Sequence, residues 1–588
     1  MNSTSTGPCG GRPMIMCTRG VVTSGHYLAT ECGMQILRGG GNAVDAAAAT
    51  GFALALLKPH QNGIGGEVPT LFYEAANQKV RAISGNGTAP RAATIAHFRQ
   101  LGIDLIPGDG FLPAIVPPVV ATWIHALENF GTKSLADVLS PAIDIARTGY
   151  PMYQSLQQTI TNSAERLRTE WPSSAKLYLP GGKPPVLGFI LKNPDWADTF
   201  QSLVDAESRF SDRRAGLQAA HNVFYRGSIT ESIVDFARST PILDASGKAH
   251  TALLDRGDFD DFQVRVEDPV TANYRGIAVQ KCSSWTQGPV LLQSLNLLEN
   301  SDLKSMGHNS TDYIHTVVEC MKLAYADREI YYGDPEFVSV PFDRLMSKQY
   351  AAQRSELASP SSASMQLRPG DHPAIATGFQ ADDIHSVNAA LAGGGDTTKL
   401  EVIDGDGNMV SATSSGGWLH SSPVIPGLGF CLGTRGQMFS LEPLHPNSLA
   451  PGKRPRTTLT PSLATRNGLP YLSFGSPGGD RQDQWALQFL LNVIEFGMSL
   501  QEAVEAPTFW TKHFPDSFFP RRAEIGSLYV ESRIPNPVCQ ELSSRGHLVK
   551  RVGNWEGGNT LAASIEPETG LLCAAASPRL DPAYAAGW

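Results

Sequence analysis

Residues 393–413 read GGGDTTKLEVIDGDGNMVSAT, the strongest structural signal in the chain. Segments 399–403 and 409–413 have the composition of β-strands, and the DGDGN between them is typical of a hairpin turn. The preceding segment, 355–396, is rich in Ser, Ala, Gly, Pro and Asp, which predicts a flexible surface stretch. A flexible stretch that runs directly into a sheet is a suitable place for a chain break, because the break leaves a new N-terminus at the start of a strand.

The composition is that of an ordinary globular protein. The 588 residues are 41% hydrophobic and 18% charged, which suits one or two large domains. With 47 basic and 56 acidic residues the net charge is -9, so nucleic acid is not an expected partner. Residues 1–26 lack the apolar core of a signal peptide, and the longest apolar stretch, 43–57, falls short of the roughly 20 residues that cross a bilayer. We therefore expect a cytoplasmic protein with no membrane partner and a buried helix at 43–57.

Apolar periodicity predicts two longer helices. One covers 134–149, with Gly149 as its C-cap, and the other covers 311–332. On the second helix His315 and Glu319 lie four residues apart, a spacing that suits a metal pair, but no third ligand is near and a structural contact is favoured. The eight cysteines contain no C-x-x-C pair. We expect neither a metal nor an organic cofactor.

Two glycine clusters, 63–66 and 475–479, invite comparison with phosphate-binding loops. Neither completes a dinucleotide-binding or Walker motif, so both predict tight turns. Glycines in such turns also expose backbone N–H groups that can hold an oxyanion. The chain contains no G-x-S-x-G elbow of a Ser-His-Asp hydrolase, so the nucleophile must be sought elsewhere.

Collinear motifs along nearly the whole chain resemble the γ-glutamyltransferase family. They are GGNAVDAA at 40–47, PH at 59–60, GIGG at 63–66, AYADR at 324–328, GDP at 333–335, the hairpin 404–413, PNS at 446–448, PGKR at 451–454, GSPGG at 475–479 and SPR at 577–579. One such motif is weak, but this many in order indicate family membership.

The resemblance implies an αββα sandwich of mixed α/β (α+β) class, made as a proenzyme that cuts itself before a Thr-Thr pair. Here the cut would fall between Asp396 and Thr397, giving a large subunit, 1–396, and a small catalytic subunit, 397–588. The threonine hydroxyl is a poor nucleophile until a base takes its proton, and the freed α-amine, with a reference pKa of about 7.7 to 8.0, can be that base. Cleavage would therefore create the catalyst. A further oligomer is possible.

The same resemblance assigns roles to residues that flank the nucleophile. Ser415 matches the threonine that hydrogen-bonds it, and Gly478 and Gly479 match the glycines that donate N–H groups to the oxyanion. Thr457 and Thr458 stand where the family has a serine pair that binds substrate. Without the resemblance, Ser415 is also consistent with an ordinary strand residue, and the threonine pair with a strand surface.

The chain departs from the family at the clamp for the glutamyl amino-acid group. Asn86 replaces the arginine that pairs with the α-carboxylate, Gly417 replaces an asparagine, and Met438 replaces the aspartate that receives the α-amine. Lys399 replaces the histidine after the threonine pair. Arg435 stands at a family glutamine, where it could bind a carboxylate or be a surface residue after a turn.

Three hypotheses follow from these matches and departures. The leading one is an amidohydrolase or acyltransferase, similar to oxamate amidohydrolase or cephalosporin-type acylases, that acts on a small carboxylated amide or γ-glutamyl-like conjugate. The second is a true glutathione hydrolase or transpeptidase with a rebuilt clamp. The third is an uncleaved, inactive member that keeps the fold as a scaffold.

Overall fold

The computed structural model describes residues 11–371, 396–566 and 568–588. The chain is continuous from Asp396 into Thr397. Most of the segment that the composition predicts to be flexible, residues 372–395, lies outside the described residues.

Two seven-stranded antiparallel sheets form the centre. The first sheet has the order β1-β20-β19-β15-β14-β11-β10, and the second has the order β21-β2-β12-β13-β3-β4-β9. The strands are β1 Ile15–Cys17, β2 Val21–Ser24, β3 Thr70–Glu74, β4 Lys79–Ile83, β5 Tyr150–Pro151, β6 Ile190–Leu191, β7 Ile242–Leu243, β8 Ala249–His250, β9 Val266–Glu267, β10 Val270–Tyr274, β11 Ile277–Lys281, β12 Thr397–Ile403, β13 Met409–Ser415, β14 Ser462–Arg466, β15 Leu469–Gly475, β16 Phe509–Trp510, β17 Ser527–Glu531, β18 Leu548–Val552, β19 Leu561–Ile565, β20 Leu572–Ala576 and β21 Tyr584–Gly587.

Helices cover the outer face of each sheet. They are α1 Tyr27–Arg38, α2 Ala43–Leu57, α3 Ile95–Gln100, α4 Val119–Phe130, α5 Leu135–Thr148, α6 Gln154–Thr169, α7 Pro172–Tyr178, α8 Pro194–Glu207, α9 Arg213–Tyr225, α10 Ser228–Ser239, α11 Arg256–Asp260, α12 Pro289–Leu298, α13 Leu303–Met306, α14 Thr311–Tyr331, α15 Phe342–Leu345, α16 Lys348–Ser355, α17 Gln482–Ile494, α18 Leu500–Glu505 and α19 Asn536–Ser544, with 3-10 turns at Pro180–Gly182, Arg435–Met438 and Gly479–Arg481. In the described ranges no helix is long and apolar enough to cross a membrane.

Three hydrophobic clusters define four layers. Helices α1 and α2 pack on the second sheet with α4 and α5 packed against α2, and helices α12 and α17 pack on the first sheet with α14 packed against α12. A third cluster, which includes Val21, Leu71, Leu463 and Ala563, fills the space between the sheets. This is the predicted αββα sandwich, and the fold-class prediction is confirmed.

The helix predicted at 43–57 is α2, and every one of its residues is buried. Asn42 caps its N-terminus in a capping box with Asp45. Small alanine side chains let it pack closely against β12 and β13 of the second sheet. The helix therefore packs directly against the hairpin that carries Thr397.

The other predicted elements are also present, with shifted ends. Helix α5 ends at Gly149, whose φ of +95° suits a glycine C-cap. On α14, His315 Nδ1 lies 2.9 Å from His547 Nε2, and the Glu319 carboxylate binds Lys322 at 2.6 Å. These are structural contacts, as the sequence favoured.

The expected flexibility of 355–396 is wrong for its first part. Residues 355–371 are held against α14: the Ser364 carbonyl accepts from Lys322 Nζ at 3.0 Å, and the Gly370 N–H donates to Asp327 Oδ1 at 2.9 Å. Leu367 is buried in the adjoining core. Composition alone missed this because the segment gains its order from tertiary contacts.

Candidate active site

The ends of two paired strands bring Thr397 and Ser415 together. Strands β12 and β13 are in the register that places Thr397 opposite Ser415, and each strand extends two residues beyond its predicted end away from the turn. The two hydroxyl oxygens lie 3.4 Å apart, and both residues are fully buried. The predicted nucleophile and its predicted hydroxyl partner are therefore neighbours in the uncut chain.

The peptide bond before Thr397 is held by several donors. Its carbonyl oxygen, that of Asp396, accepts from Ser415 Oγ at 2.7 Å and from the Trp418 indole N–H at 2.9 Å. The Asp396 side chain accepts from the Thr397 N–H at 2.8 Å and from the Gln61 amide at 2.8 Å. Hydrogen bonds thus hold both the carbonyl oxygen and the side chain of Asp396, the residue before the bond that the resemblance predicts to be cleaved.

Charges around Asp396 act on its carboxyl group and on Lys58. Burial raises the pKa of the Asp396 carboxyl, while hydrogen bonds from Thr397 and Gln61 and the nearby cations Lys58 and Arg481 act against that shift. Burial also lowers the pKa of the Lys58 ammonium to about 8, against the attraction of Asp396. A cation thus lies near the aspartate side chain that precedes Thr397.

Arg435 is buried, and the alternative of a surface arginine is wrong. Its Nε and Nη2 bind Glu67 Oε2 at 2.9 Å, and Nη2 also donates to Ser415 Oγ at 2.9 Å. Its Nη1 lies 3.7 Å from the sulfur of Met438. Burial raises the pKa of Glu67, and the guanidinium opposes that shift. Nε and Nη2 are thus engaged by Glu67 and Ser415, and Nη1 faces the Met438 sulfur.

Glycines shape the turn that follows β13. Gly416 and Gly417 have φ values of +79° and +64°, a left-handed conformation that glycine adopts without strain. A Cβ at Gly417 would lie 2.8 Å from the backbone nitrogen of Gly66, so the predicted turn at 63–66 packs directly on this one. Gly417 therefore serves backbone packing and redirects the chain toward Trp418.

The predicted oxyanion glycines lie in the loop between β15 and α17. Neither the Gly478 nor the Gly479 N–H donates to an acceptor within the described part of the chain. The helix that follows begins with Gln482, whose amide nitrogen lies 3.5 Å from Thr397 Oγ1. The loop is thus tethered beside the predicted nucleophile, with two N–H donors unused.

A cavity of about 190 Å³ opens beside this loop. Gly479 and Phe518 line it together with Arg481, Lys512 and Asp516. Burial and the neighbouring Asp480 carboxylate raise the pKa of Asp516 to about 7. The cavity therefore places cationic side chains and a carboxyl group that is neutral below pH 7 next to the predicted oxyanion donors.

The remaining predicted substrate residues, Asn86, Thr457 and Thr458, are all buried. Asn86 donates to the Pro455 carbonyl at 2.7 Å, and its own carbonyl oxygen has no partner among the described residues. Thr457 forms an isolated β-bridge with Thr286 and Thr458 lies in a bend, and both are buried, so the alternative of a strand surface is wrong. No hydrogen bond joins these three residues to Thr397 in the described ranges.

Lys399 lies between the two sheets. Its ammonium binds Glu401 at 2.8 Å and Ser411 Oγ at 2.8 Å, and burial lowers its pKa. The residue that replaces the family histidine is therefore part of a buried ion pair two positions along the strand from Thr397.

Four residues that contact the site were not identified from the sequence: Gln61, Glu67, Trp418 and Gln482. Glu67 directly follows the glycine cluster 63–66, and an acidic residue there was a signal for a buried cation partner. Trp418 follows two glycines in the sequence, but the sequence does not show what its indole N–H contacts. Gln482 had no signal in the sequence.

Known proteins match this chain along its length. The family model for gamma-glutamyltranspeptidase matches residues 29–587. The acylase ACY 1 proenzyme of Pseudomonas sp. strain SE83 is 34% identical over 96% of this chain and 93% of its own length. The glutathione hydrolase-like YwrD proenzyme of Bacillus subtilis strain 168 is 31% identical over 96% and 98%.

Solved structures agree with the sequence matches. The structure named LmbA2991HD is 44% identical with a TM-score of 0.91, covering 99% of this chain and all of its own. The cephalosporin acylase from Bacillus halodurans is 29% identical with a TM-score of 0.82, covering 100% and 99%. Because the family model and the relatives span nearly the whole chain, this protein belongs to the gamma-glutamyltranspeptidase family and is an enzyme of the N-terminal-nucleophile hydrolase class.

Proposed function

We propose that the chain cleaves itself between Asp396 and Thr397, and that the freed Thr397 then hydrolyses a small carboxylated amide through an acyl-threonine ester. The observation that carries the proposal is the buried Thr397–Ser415 pair, with the carbonyl of Asp396 held by two donors beside it. Two relatives are named proenzymes, which supports processing.

In the mature enzyme the hydroxyl and the amine of Thr397 would act as one unit. The α-amine, with a reference pKa of about 7.7 to 8.0, takes the hydroxyl proton as the oxygen attacks the substrate carbonyl. The N–H groups of Gly478 and Gly479 stabilise the oxyanion. Water then hydrolyses the ester and releases the acid.

The altered clamp supports a substrate other than glutathione. Asn86, Gly417 and Met438 offer no charged partner to an amino-acid group, and an unpaired buried charge costs about 3 to 5 kcal/mol. Each such loss corresponds to about a hundredfold or more in rate. The relatives named acylase and cephalosporin acylase favour an amide with a single carboxylate.

The second candidate, a glutathione hydrolase with a rebuilt clamp, is favoured by the YwrD relative, which is named glutathione hydrolase-like. The third, an uncleaved scaffold, is disfavoured by the buried Thr397–Ser415 contact.

The test compares the full chain with its Thr397→Ala variant. We expect the parent to yield two fragments with Thr397 as a new N-terminus, measured by denaturing gel and mass spectrometry, and the variant to stay one chain without activity. The processed parent should hydrolyse oxamate-like or glutaryl amides better than a γ-glutamyl anilide, measured as kcat/KM.

Either of two results would contradict the proposal. Equal cleavage of the Thr397→Ala variant would exclude its hydroxyl as the nucleophile. Efficient hydrolysis of the γ-glutamyl anilide at micromolar KM would instead promote the glutathione hydrolase.

A further inference from the structure

We propose that Trp418 is a catalytic residue of self-cleavage: its indole N–H, together with the Ser415 hydroxyl, forms the oxyanion site of the processing reaction. The inference rests on the proposed self-cleavage. The two donors lie 2.9 and 2.7 Å from the carbonyl oxygen of Asp396. Both distances fall within the roughly 2.7–3.1 Å expected for donors to a developing oxyanion.

The backbone holds the indole in place. The left-handed pair Gly416 and Gly417 turns the chain back after β13, and this turn leads directly into Trp418. The ring is 2% exposed, is stacked on His420 and packs in a cluster with Met438 and Phe518. A hydrogen bond from a buried, fixed donor is stronger than the same bond in water, because few water dipoles screen it.

The proton of Ser415 must point to the same oxygen. A serine hydroxyl has one proton to donate and two lone pairs. Arg435 is a donor only, and its Nη2 occupies one lone pair of Ser415 Oγ, while the Thr397 hydroxyl faces another. The serine proton is therefore left for the Asp396 carbonyl. Arg435, itself held by Glu67, acts here as a positioning residue.

The reaction at this carbonyl gives the two donors their role. Thr397 Oγ forms a bond to the carbonyl carbon of Asp396, and negative charge develops on the oxygen that both donors face. As the tetrahedral intermediate collapses, the carbon–nitrogen bond breaks and the hydroxyl proton ends on the freed α-amine. Water then hydrolyses the resulting ester, which leaves the Asp396 carboxylate and the free Thr397 hydroxyl.

The indole N–H keeps a partner after the bond is cut. It also donates to the Gln61 carbonyl at 2.9 Å, so loss of the Asp396 carbonyl does not leave a buried donor unpaired. The predicted oxyanion donors for substrate, in the loop 478–479, are different groups. Processing and turnover would thus use separate oxyanion sites around one nucleophile.

The experiment measures processing of the full chain in cell-free translation, sampled over time on denaturing gels. Trp418→Phe removes the N–H and keeps an aromatic ring. A second variant places β-(3-benzothienyl)alanine at position 418, which keeps the two-ring shape and replaces only the N–H by sulfur. Trp123→Phe is the matched control, because Trp123 is also buried and its indole N–H has no partner among the described residues. Thr397→Ala reports on the proposed function.

We expect both position-418 variants to be processed about 10²-fold more slowly than the parent, the loss typical of one oxyanion donor, and the Trp123 control to be processed at the parental rate. In the uncut Thr397→Ala background, the benzothienyl variant should melt at the same temperature, since a merely structural role would lower it. Parental processing of the benzothienyl variant overturns the inference. Cleavage of the Thr397→Ala chain, or an uncut parent, overturns the proposed function instead.

Discussion

A substitution of Gly479 tests the oxyanion site predicted for the substrate separately from the one proposed for self-cleavage. Its φ is +58°, in the left-handed region, and an added Cβ would lie 3.2 Å from the Phe518 ring. At Gly478 an added Cβ would collide with the Trp485 ring, so a substitution there mixes a clash with the loss of a donor. Gly479 therefore gives the cleaner test.

We predict that Gly479→Ala lowers kcat per processed Thr397 by about 10²-fold, because the strained backbone shifts an N–H donor away from the oxyanion. The measurement is steady-state hydrolysis of an accepted amide, normalised to new N-termini. Gly497→Ala is the matched control, since Gly497 has a φ of +66° and nothing within 4 Å of an added Cβ. Equal turnover in the two variants would remove the Gly479 N–H from the oxyanion site.

Secondary-structure elements differ in how far the sequence determines them. The hairpin β12–β13 was predictable because its alternation and its DGDGN turn are local signals. The predicted strands stopped at 399 and 413, so the pairing of Thr397 with Ser415 was not predicted from the turn. Segment 355–371 was mispredicted because its order comes from contacts with α14, which composition does not record.

Contacts between elements that are distant along the chain could not be predicted from the sequence. Arg435 lies in a 3-10 turn and Glu67 follows β-turn glycines far earlier in the chain, so only the fold joins them. The motif match located Arg435 but offered no sign that Glu67 and Ser415 already bind it. Local patterns thus predicted which residues matter, and tertiary packing decided what each one contacts.

Asp516 lines the cavity beside the loop 478–479, and the charge of its carboxyl group depends on pH. Burial, then the Asp480 carboxylate, raises the pKa of Asp516 to about 7. Below pH 7 the carboxyl is neutral, and above pH 7 it is negative and repels a carboxylated substrate that enters the cavity. We predict that KM for a carboxylated amide rises by about three- to tenfold between pH 6 and pH 8.

The variant Asp516→Asn should remove this rise, because the amide stays neutral at both pH values. KM measured at pH 6 and pH 8 checks it, and Asp104→Asn, at an exposed aspartate, should behave like the parent. The same rise in Asp516→Asn would show that another group controls substrate binding.

Across the whole molecule, the two predicted subunits are interleaved. In the second sheet, β21, β12 and β13 come from the segment after residue 396, β2 from the earlier segment lies between β21 and β12, and β3, β4 and β9 follow β13. The first sheet likewise joins β1, β10 and β11 to four strands from the C-terminal segment. A cut between Asp396 and Thr397 falls at the start of β12 and breaks no strand pairing.

We therefore predict that the cleaved protein stays one particle. Its two fragments should elute together on a size-exclusion column, at the volume of the uncut Thr397→Ala chain, and separate only in denaturant. Urea should unfold both fragments in one cooperative transition followed by tryptophan fluorescence, because each sheet contains strands from both fragments and neither fragment can keep its core without the other. Two separate peaks under native conditions, or two resolved unfolding transitions, would mean that the fragments fold as independent domains.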